Sequence, residues 1–327
     1  MLQKNELQKF LKKNYSELDK IQKIKKIKHN DINSVNFLIN AKKKNYILRF
    51  VTDGSSIKKI EKMCEILTFC KKNKIRINEP IKNKKNKYVN NKKCFLTKYY
   101  NGKTFSGKDD EIKNLAVHLA NLHDVLKKTN IEYNFRPDTR NYKILNKYEI
   151  KKIRKIFDKK NLNQIDRKIK NNLDYVEEQI TKISKKQIKK SLLNKQLIHR
   201  DIHPENVIFN RNEVEAIIDF HGMKKSYLIS DVAFTCFRFS MYNTKNVIKI
   251  QKRLDIFLKM YLKHNKKIKN ELKFFKYFFI LEMLGKLSMI LRCRYFQNSN
   301  LWIIDFDKIL EYVKIIDRIK NLSTNSE

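Results

Sequence analysis

Glycine and proline are nearly missing from this 327-residue chain, which has five of one and three of the other. The glycines, Gly54, Gly102, Gly107, Gly222 and Gly285, are too dispersed to make a glycine-rich loop. Cysteine is sparse and unpaired: Cys64, Cys70, Cys94, Cys236 and Cys293 are odd in number and form no C-x-x-C. Neither a disulfide framework nor a structural zinc site is indicated, which fits a reducing compartment. No apolar run reaches membrane length, because the most apolar late stretch, Phe274 to Phe296, is broken by Lys276, Glu282, Lys286 and Arg292. The opening residues, Met1 to Glu6, lack the apolar core of a signal peptide. A soluble cytoplasmic protein with no membrane insertion is expected.

Acidic residues are also short, with 34 against 74 Lys and Arg, for a net charge of +40. Such a balance points first to nucleic acid or an anionic surface. The lysines, however, are spread from Lys4 to the 260s instead of lining one face. Abundant Lys, Asn and Ile beside scarce Gly and Pro is what biased base composition produces. A lysine-coated surface is expected, with no specific nucleic-acid partner. At 41% apolar and 11% aromatic residues the chain is globular and long enough to bury a real core.

The first 25 residues read as a helix, with Leu2, Leu7, Phe10, Leu11, Leu18 and Ile21 at helical spacing. Val35–Ile39 and Tyr46–Val51 read as an antiparallel hairpin about a polar turn at Lys42–Asn45. Ser55 or Ser56 is placed to cap a helix running to about Lys72. Tyr88-Val89 and Cys94–Thr97 suggest a further strand pair. Helices follow over Ile112–Leu126, along a charged stretch from Tyr142 to Lys190, and after Ser230, interrupted by one β signal over Leu197–Phe220. The order predicts an α+β fold with a small β-rich lobe over residues 1–100 and a mostly helical lobe over 101–327.

Within that late β signal lies the segment that carries chemistry: His199-Arg200-Asp201-Ile202-His203-Pro204-Glu205-Asn206, then Asp219 closing Ala216-Ile217-Ile218-Asp219. Asn206 opens the apolar run Val207–Phe209, Asn210–Asn212 turns the chain, and Val214–Ile218 returns. A hairpin about residues 211–212 brings Asn206 and Asp219 together at its open end. An amide oxygen beside a carboxylate suits Mg²⁺, which takes oxygen ligands while bridging phosphates. Asp201, in the loop just before, is placed to orient a substrate hydroxyl toward the γ-phosphate of ATP.

These residues resemble the aminoglycoside phosphotransferase/choline kinase/homoserine kinase superfamily, a branch of the protein-kinase-like bilobal fold. The specific part of the resemblance is His199–Asn206 with Ile217–Asp231; it extends more loosely from about Ile27 onward. It implies that Asp201 is the catalytic Asp, that Asn206 and Asp219 hold the metal, and that His199 supports the site. Asp231, in Ser230-Asp231-Val232-Ala233, matches a buried Asp that ties the next helix to the catalytic loop, and it also reads as a helix N-cap. Asn33-Ser34-Val35-Asn36-Phe37 matches the loop over the nucleotide, and Arg49 matches the basic residue on its phosphates. Lys98-Tyr99-Tyr100-Asn101-Gly102 matches the hinge whose backbone holds adenine.

The chain departs from that pattern in three ways. Without a glycine-rich loop, phosphate cover must come from other backbone amides. The helix after the Arg49 strand should offer a Glu to pair with that Arg; Glu61 and Glu65 are both near, yet neither falls cleanly on the apolar face. Position 200 is Arg where small-molecule kinases usually carry Gly. His123 and His203 fall where relatives often have His, and both read as hydrogen-bonded structural residues. Arg238, Glu282, Lys286, Arg292 and Arg294, on the late helices, are candidates for the acceptor, a small molecule with a hydroxyl.

Three other readings compete. Gly102–Asp109 nearly matches a P-loop, but Asp109 stands where a hydroxyl should hold Mg²⁺. His199-Arg200-Asp201 also suggests a protein kinase. Against that, Asp219-Phe220-His221-Gly222 is not Asp-Phe-Gly, and only eleven residues separate Asp219 from Asp231. A non-enzymatic nucleic-acid-binding protein rests on charge alone. The expected activity is an ATP- and Mg²⁺-dependent phosphotransferase acting on a sugar, amino acid or amino alcohol.

Overall fold

The computed structural model describes residues 3–27, 34–42, 44–133, 143–159, 161–186 and 188–319. Leu2, Asn33, Lys43 and Tyr142, each part of a sequence expectation above, lie outside them. The chain packs as two compact units: residues 1–135 with 195–226 and 256–266, and residues 136–194 with 227–255 and 267–327.

The first unit opens with helix α1 (Lys4–Asn14) and a five-stranded antiparallel sheet. Its strands are β1 (Ile21–Lys26), β2 (Ser34–Ala41), β3 (Asn45–Val51), β4 (Pro80–Ile81) and β5 (Cys94–Lys98), in the spatial order β1-β2-β3-β5-β4. Helix α2 (Ile57–Lys72) follows β3, and the Ser56 hydroxyl accepts the Lys59 N–H at 3.2 Å as its cap. Strand alternation gives the sheet two different faces. Phe37, Ile39, Tyr46, Leu48, Cys94 and Leu96 fill one face and pack with Leu7, Leu11 and Tyr15 of α1. On the other face Asn36 sits opposite Arg49, and Leu38 opposite Ile47. The sheet thus buries its apolar side under the N-terminal helix and turns Arg49 the other way.

The expected single helix over the first 25 residues is corrected here. α1 stops at Asn14, Tyr15 is extended, and Ile21–Lys26 becomes an edge strand paired to β2 with a bulge between Ile21 and Lys23. Leu18 and Ile21 fit a helical period, but pairing to the free edge of β2 satisfies the backbone and overrides it. The lysines of β1 keep that edge from accepting another strand.

Helix α3 (Asp109–Lys128) then leads to α4 (Lys147–Lys159) and α5 (Gln164–Lys185). The chain returns through β6 (Lys195–Ile198), β7 (Val207–Asn210), β8 (Glu213–Ile217) and β9 (Lys224–Tyr227). β6 pairs with β9, and β7 with β8. It finishes in α6 (Leu228–Ser240), α7 (Val247–His264), α8 (Phe275–Phe296) and α9 (Phe306–Arg318). The second unit is helical around an aromatic core, in which the Phe237 ring lies 5.2 Å from Phe275 and 4.7 Å from Phe279. All five cysteines are free and buried. No described helix is long and apolar enough to cross a membrane.

Candidate active site

The β7–β8 hairpin builds the site. Val207 pairs with Ile217 and Asn210 with Glu213, and Arg211 and Asn212 turn the chain at φ 47° and 68°. At the open end the Ile218 N–H donates to the Asn206 carbonyl at 2.9 Å, which sets Asn206 beside the residue before Asp219. The hairpin is anchored by two neighbours. Ile77 forms a parallel bridge to Ile217, and Lys103 exchanges hydrogen bonds of 2.9 and 2.8 Å with Phe209. Gly102 permits that second approach, since a Cβ there would lie 2.5 Å from both Ile208 Cγ2 and the Phe209 oxygen.

The loop before the hairpin is fixed from within. His199 is fully buried, its ring 4.3 Å from Phe220. Its Nδ1 accepts the Asp201 N–H at 3.2 Å, so Nε2 carries the proton and donates to the Ile218 carbonyl at 3.0 Å. One ring therefore holds the strand of Asp219 and the backbone of Asp201 together. Arg200 sits at φ 77°, in the left-handed region that glycine adopts freely. The Asp201 side chain is 44% exposed, within reach of a ligand.

Asn206 donates through Nδ2 to the Asp201 carbonyl at 2.9 Å and to His203 Nε2 at 3.0 Å. Both bonds use the amide nitrogen, which leaves Oδ1 as the atom able to take a further partner. His203 bridges this amide to Glu205, meeting Asn206 Nδ2 at Nε2 and the Glu205 carboxylate at Nδ1 at 2.5 Å, with Asp201 Oδ2 3.7 Å from Nε2.

Asp219 adopts φ 64°, ψ 58° at the start of a short 3₁₀ turn, Phe220–Gly222. Arg49 meets it at two points, NH1 to Oδ1 at 2.7 Å and NH2 to Oδ2 at 3.3 Å. Burial raises the Asp219 carboxyl and the Asp201 charge adds to that, but the Arg49 guanidinium outweighs both and holds it below its ordinary value. Asp219 is an anion at neutral pH. Neither Glu61 nor Glu65 pairs with Arg49: Glu61 accepts the Tyr88 and Val89 N–H groups, and Glu65 pairs with Lys62. The carboxylate that Arg49 meets, Asp219, follows the hairpin.

Sequence reasoning missed Asp53 and His221. Their side chains meet at 2.5 Å, His221 Nε2 to Asp53 Oδ2, and Ser55 donates to Asp53 from its N–H at 2.9 Å and its hydroxyl at 3.1 Å. Burial raises the Asp53 carboxyl, but the His221 and Ser55 bonds more than offset it and hold it below the carboxylate range. An Asp-Gly turn after β3 and a His two residues after Asp219 were visible; their meeting across 168 residues was not.

The other predicted residues are placed as follows. Ser34 is buried at the start of β2. Lys98 ends β5, its N–H donating to the Glu79 carbonyl and its ammonium pairing with Glu79 at 2.6 Å. Tyr100 follows, its phenol pushed up by burial. Asp231 is buried within the first turn of α6; the cap position is Tyr227, so the N-cap reading of Asp231 is corrected. Arg238 lies 5.6 Å from both the Phe234 and Tyr312 rings. Glu282 is half-buried on α8. Arg292 grips Glu149 at 2.6 and 2.9 Å and donates to the Lys143 and Ile144 carbonyls, and Arg294 pairs with Asp166 at 2.7 Å. His123 hydrogen-bonds the Tyr261 hydroxyl at 2.9 Å in the core.

Two competing readings meet physical obstacles. At the P-loop-like segment, the Glu111 carboxylate already accepts the Ser106 N–H and hydroxyl at 2.8 Å and the Lys108 N–H at 3.4 Å. The start of α3 is therefore filled by its own anion where a phosphate would sit. For a protein kinase, the turn after Asp219 runs through β9 directly into α6 at Leu228, leaving no segment to bind a peptide.

The model of the phosphotransferase enzyme family, APH, matches residues 23–258. No curated protein matches the chain by sequence. Among solved structures, a spectinomycin phosphotransferase in complex with ADP and spectinomycin is 16% identical, covers 97% of each chain and superposes with a TM-score of 0.68. An amicoumacin kinase in complex with AMP-PNP and Ca²⁺ is 14% identical over 97% of this chain and 94% of its own, at 0.64. A choline kinase from Streptococcus pneumoniae is 15% identical over 94% and 99%, at 0.58. The fold is α+β and protein-kinase-like, with the antiparallel five-stranded sheet preceding a mostly helical region. With most of its length matched, the chain belongs to the APH phosphotransferase enzyme family, whose members phosphorylate hydroxyl groups of small molecules.

Proposed function

We propose that this kinase transfers the γ-phosphoryl group of ATP to a hydroxyl of a sugar, amino acid or amino alcohol. The observation that carries the reading is the meeting of Asp201, Asn206 and Asp219 at one hairpin end, with Arg49 reaching Asp219 from the sheet. Asp201, exposed enough to meet a ligand, accepts the acceptor hydroxyl's hydrogen bond and aims its oxygen at the phosphorus. Arg49 turns to the phosphates. The backbone near Ser34 covers them, and the backbone of Lys98 to Tyr100 receives the base. In this reading the nucleotide lobe is residues 1–100 and the catalytic and acceptor lobe 101–327.

The donor set fits Mg²⁺. Asn206 Oδ1 and an ionised Asp219 are hard oxygens, and two protein ligands leave positions for water and phosphate. Among the described residues no cluster of three His, Cys, Asp or Glu offers a different metal site. When bound, the cation neutralises phosphate charge. Because the transition state is loose, this chain's contribution is chiefly positioning and charge.

Arg238 and Glu282 are the acceptor candidates; Arg292 is committed to Glu149. The net charge of +40 favours a neutral or anionic acceptor over a polycation. Relatives of similar fold carry names as different as spectinomycin phosphotransferase and choline kinase, so likeness does not choose among acceptors. An ADP-release screen against homoserine, choline, ethanolamine, hexosamines and aminoglycosides tests the proposal. Mg²⁺-dependent turnover with one of the first four classes supports it, and preference for an aminoglycoside contradicts the acceptor class.

A further inference from the structure

Strand β3 and the turn after β8 are bridged twice. Arg49 on β3 holds Asp219; two residues beyond the strand, Asp53 holds His221. The two bridges differ in what they leave for a ligand. Arg49 and Asp219 are both groups that ligands claim, so a guanidinium turning to the phosphates releases the carboxylate. Asp53 and His221 have no such competing role. Their side chains are only 14% and 16% exposed, and Ser55, itself buried, fixes Asp53 through two hydrogen bonds.

Asp219 needs such a restraint. At φ 64° it lies in the left-handed region, where a non-glycine residue is less favoured and must be held by its surroundings. His199 fixes the chain before it through the Ile218 carbonyl, and His221 is the side chain that fixes the chain after it. Gly222 completes the turn close to the catalytic loop, where an added Cβ would lie 3.6 Å from the His199 oxygen and 3.9 Å from Asp201 Cβ.

We infer that Asp53 and His221 are positioning residues, a buried brace that keeps the Asp219 carboxylate aimed at the metal position when Arg49 turns to the phosphates. This rests on the reading of Asp219 as a metal ligand. Groups behind a ligand set ligand orientation, and losing one typically weakens metal binding by about 10–100-fold.

The test titrates Mn²⁺ into the full-length protein saturated with ADP, following bound metal by electron paramagnetic resonance, beside ADP affinity measured without metal. His221→Leu and Asp53→Ala are expected to weaken Mn²⁺ binding by about 10-fold or more while metal-free ADP affinity stays unchanged. His221→Gln and Asp53→Asn, which retain volume and a hydrogen bond, are expected to recover most of the affinity and serve where the harsher variants fail to fold. Asp219→Ala separates the two claims. Mn²⁺ affinity that survives Asp219→Ala overturns the metal role and the brace with it. Affinity lost in Asp219→Ala but unmoved in the Asp53 and His221 variants overturns the brace alone.

Discussion

Arg49 and Asp219 form a two-point ion pair across 170 residues of sequence, joining the face of the sheet opposite α1 to the end of the β7–β8 hairpin. Under the proposed function each group stands in for the other's ligand: the guanidinium takes the place of a cation, and the carboxylate the place of a phosphate.

Opposite effects of one substitution follow. In the nucleotide-free protein Arg49 competes with metal for Asp219, so Arg49→Met should tighten Mn²⁺ binding there. The same change removes a charged hydrogen-bond donor from the phosphates, worth about 1.5–3 kcal/mol, and should weaken ATP binding by about 10–100-fold. Calorimetric titration with each ligand separately checks both signs; parallel changes would mean that the pair is not shared in this way.

Gly102 should tolerate no side chain. An alanine Cβ would meet the Phe209 carbonyl and Ile208 at 2.5 Å, so the Lys103–Phe209 bridge must shift. Urea unfolding of Gly102→Ala should show a loss of about 1–3 kcal/mol, the usual cost of overpacking. Gly54, with open space around its Cβ position but φ 82°, is a control in which only backbone strain acts.

Much of this was legible because it is local. The β7–β8 hairpin, its turn at residues 211–212 and the Ser56 cap follow from spacing and turn chemistry within a few residues. The motif His199–Asn206 could be picked out for the same reason. What sequence could not supply was contact between distant segments. Sequence left open whether Glu61 or Glu65 on the nearest helix pairs with Arg49, and the carboxylate that Arg49 meets follows the hairpin. Asp53 and His221 carry no signal of their meeting. The edge strand β1 was hidden because Leu18 and Ile21 fit a helical period as well as a strand, and only the open side of β2 decides between them.

Stability should depend on pH through His118. Burial pushes its ring down to about 4 from 6.5, against the pull of its hydrogen bond to the Arg76 carbonyl, with the Arg76 charge adding to the fall. The folded protein therefore prefers the neutral ring. Its contribution is complete above pH 6.5, is lost as pH falls toward 4, and levels off below that. Asp53 and Asp219, whose carboxyls are lowered, lose their contributions at more acid pH. Chemical denaturation from pH 7.5 to 4 should therefore show a fall that His118→Gln flattens; identical slopes in the two proteins would refute the assignment.

The central claim is that Asp201 orients the acceptor while Asn206 and Asp219 serve the nucleotide's metal, and one pair of measurements on Asp201→Ala tests it most directly. Phosphotransfer turnover with an accepted substrate should fall by roughly 10²–10⁴-fold, as for loss of a positioned acid–base group, while Mg²⁺–ATP affinity stays at the wild-type value. Unchanged turnover, or a loss accounted for by weaker ATP binding, would contradict the assignment.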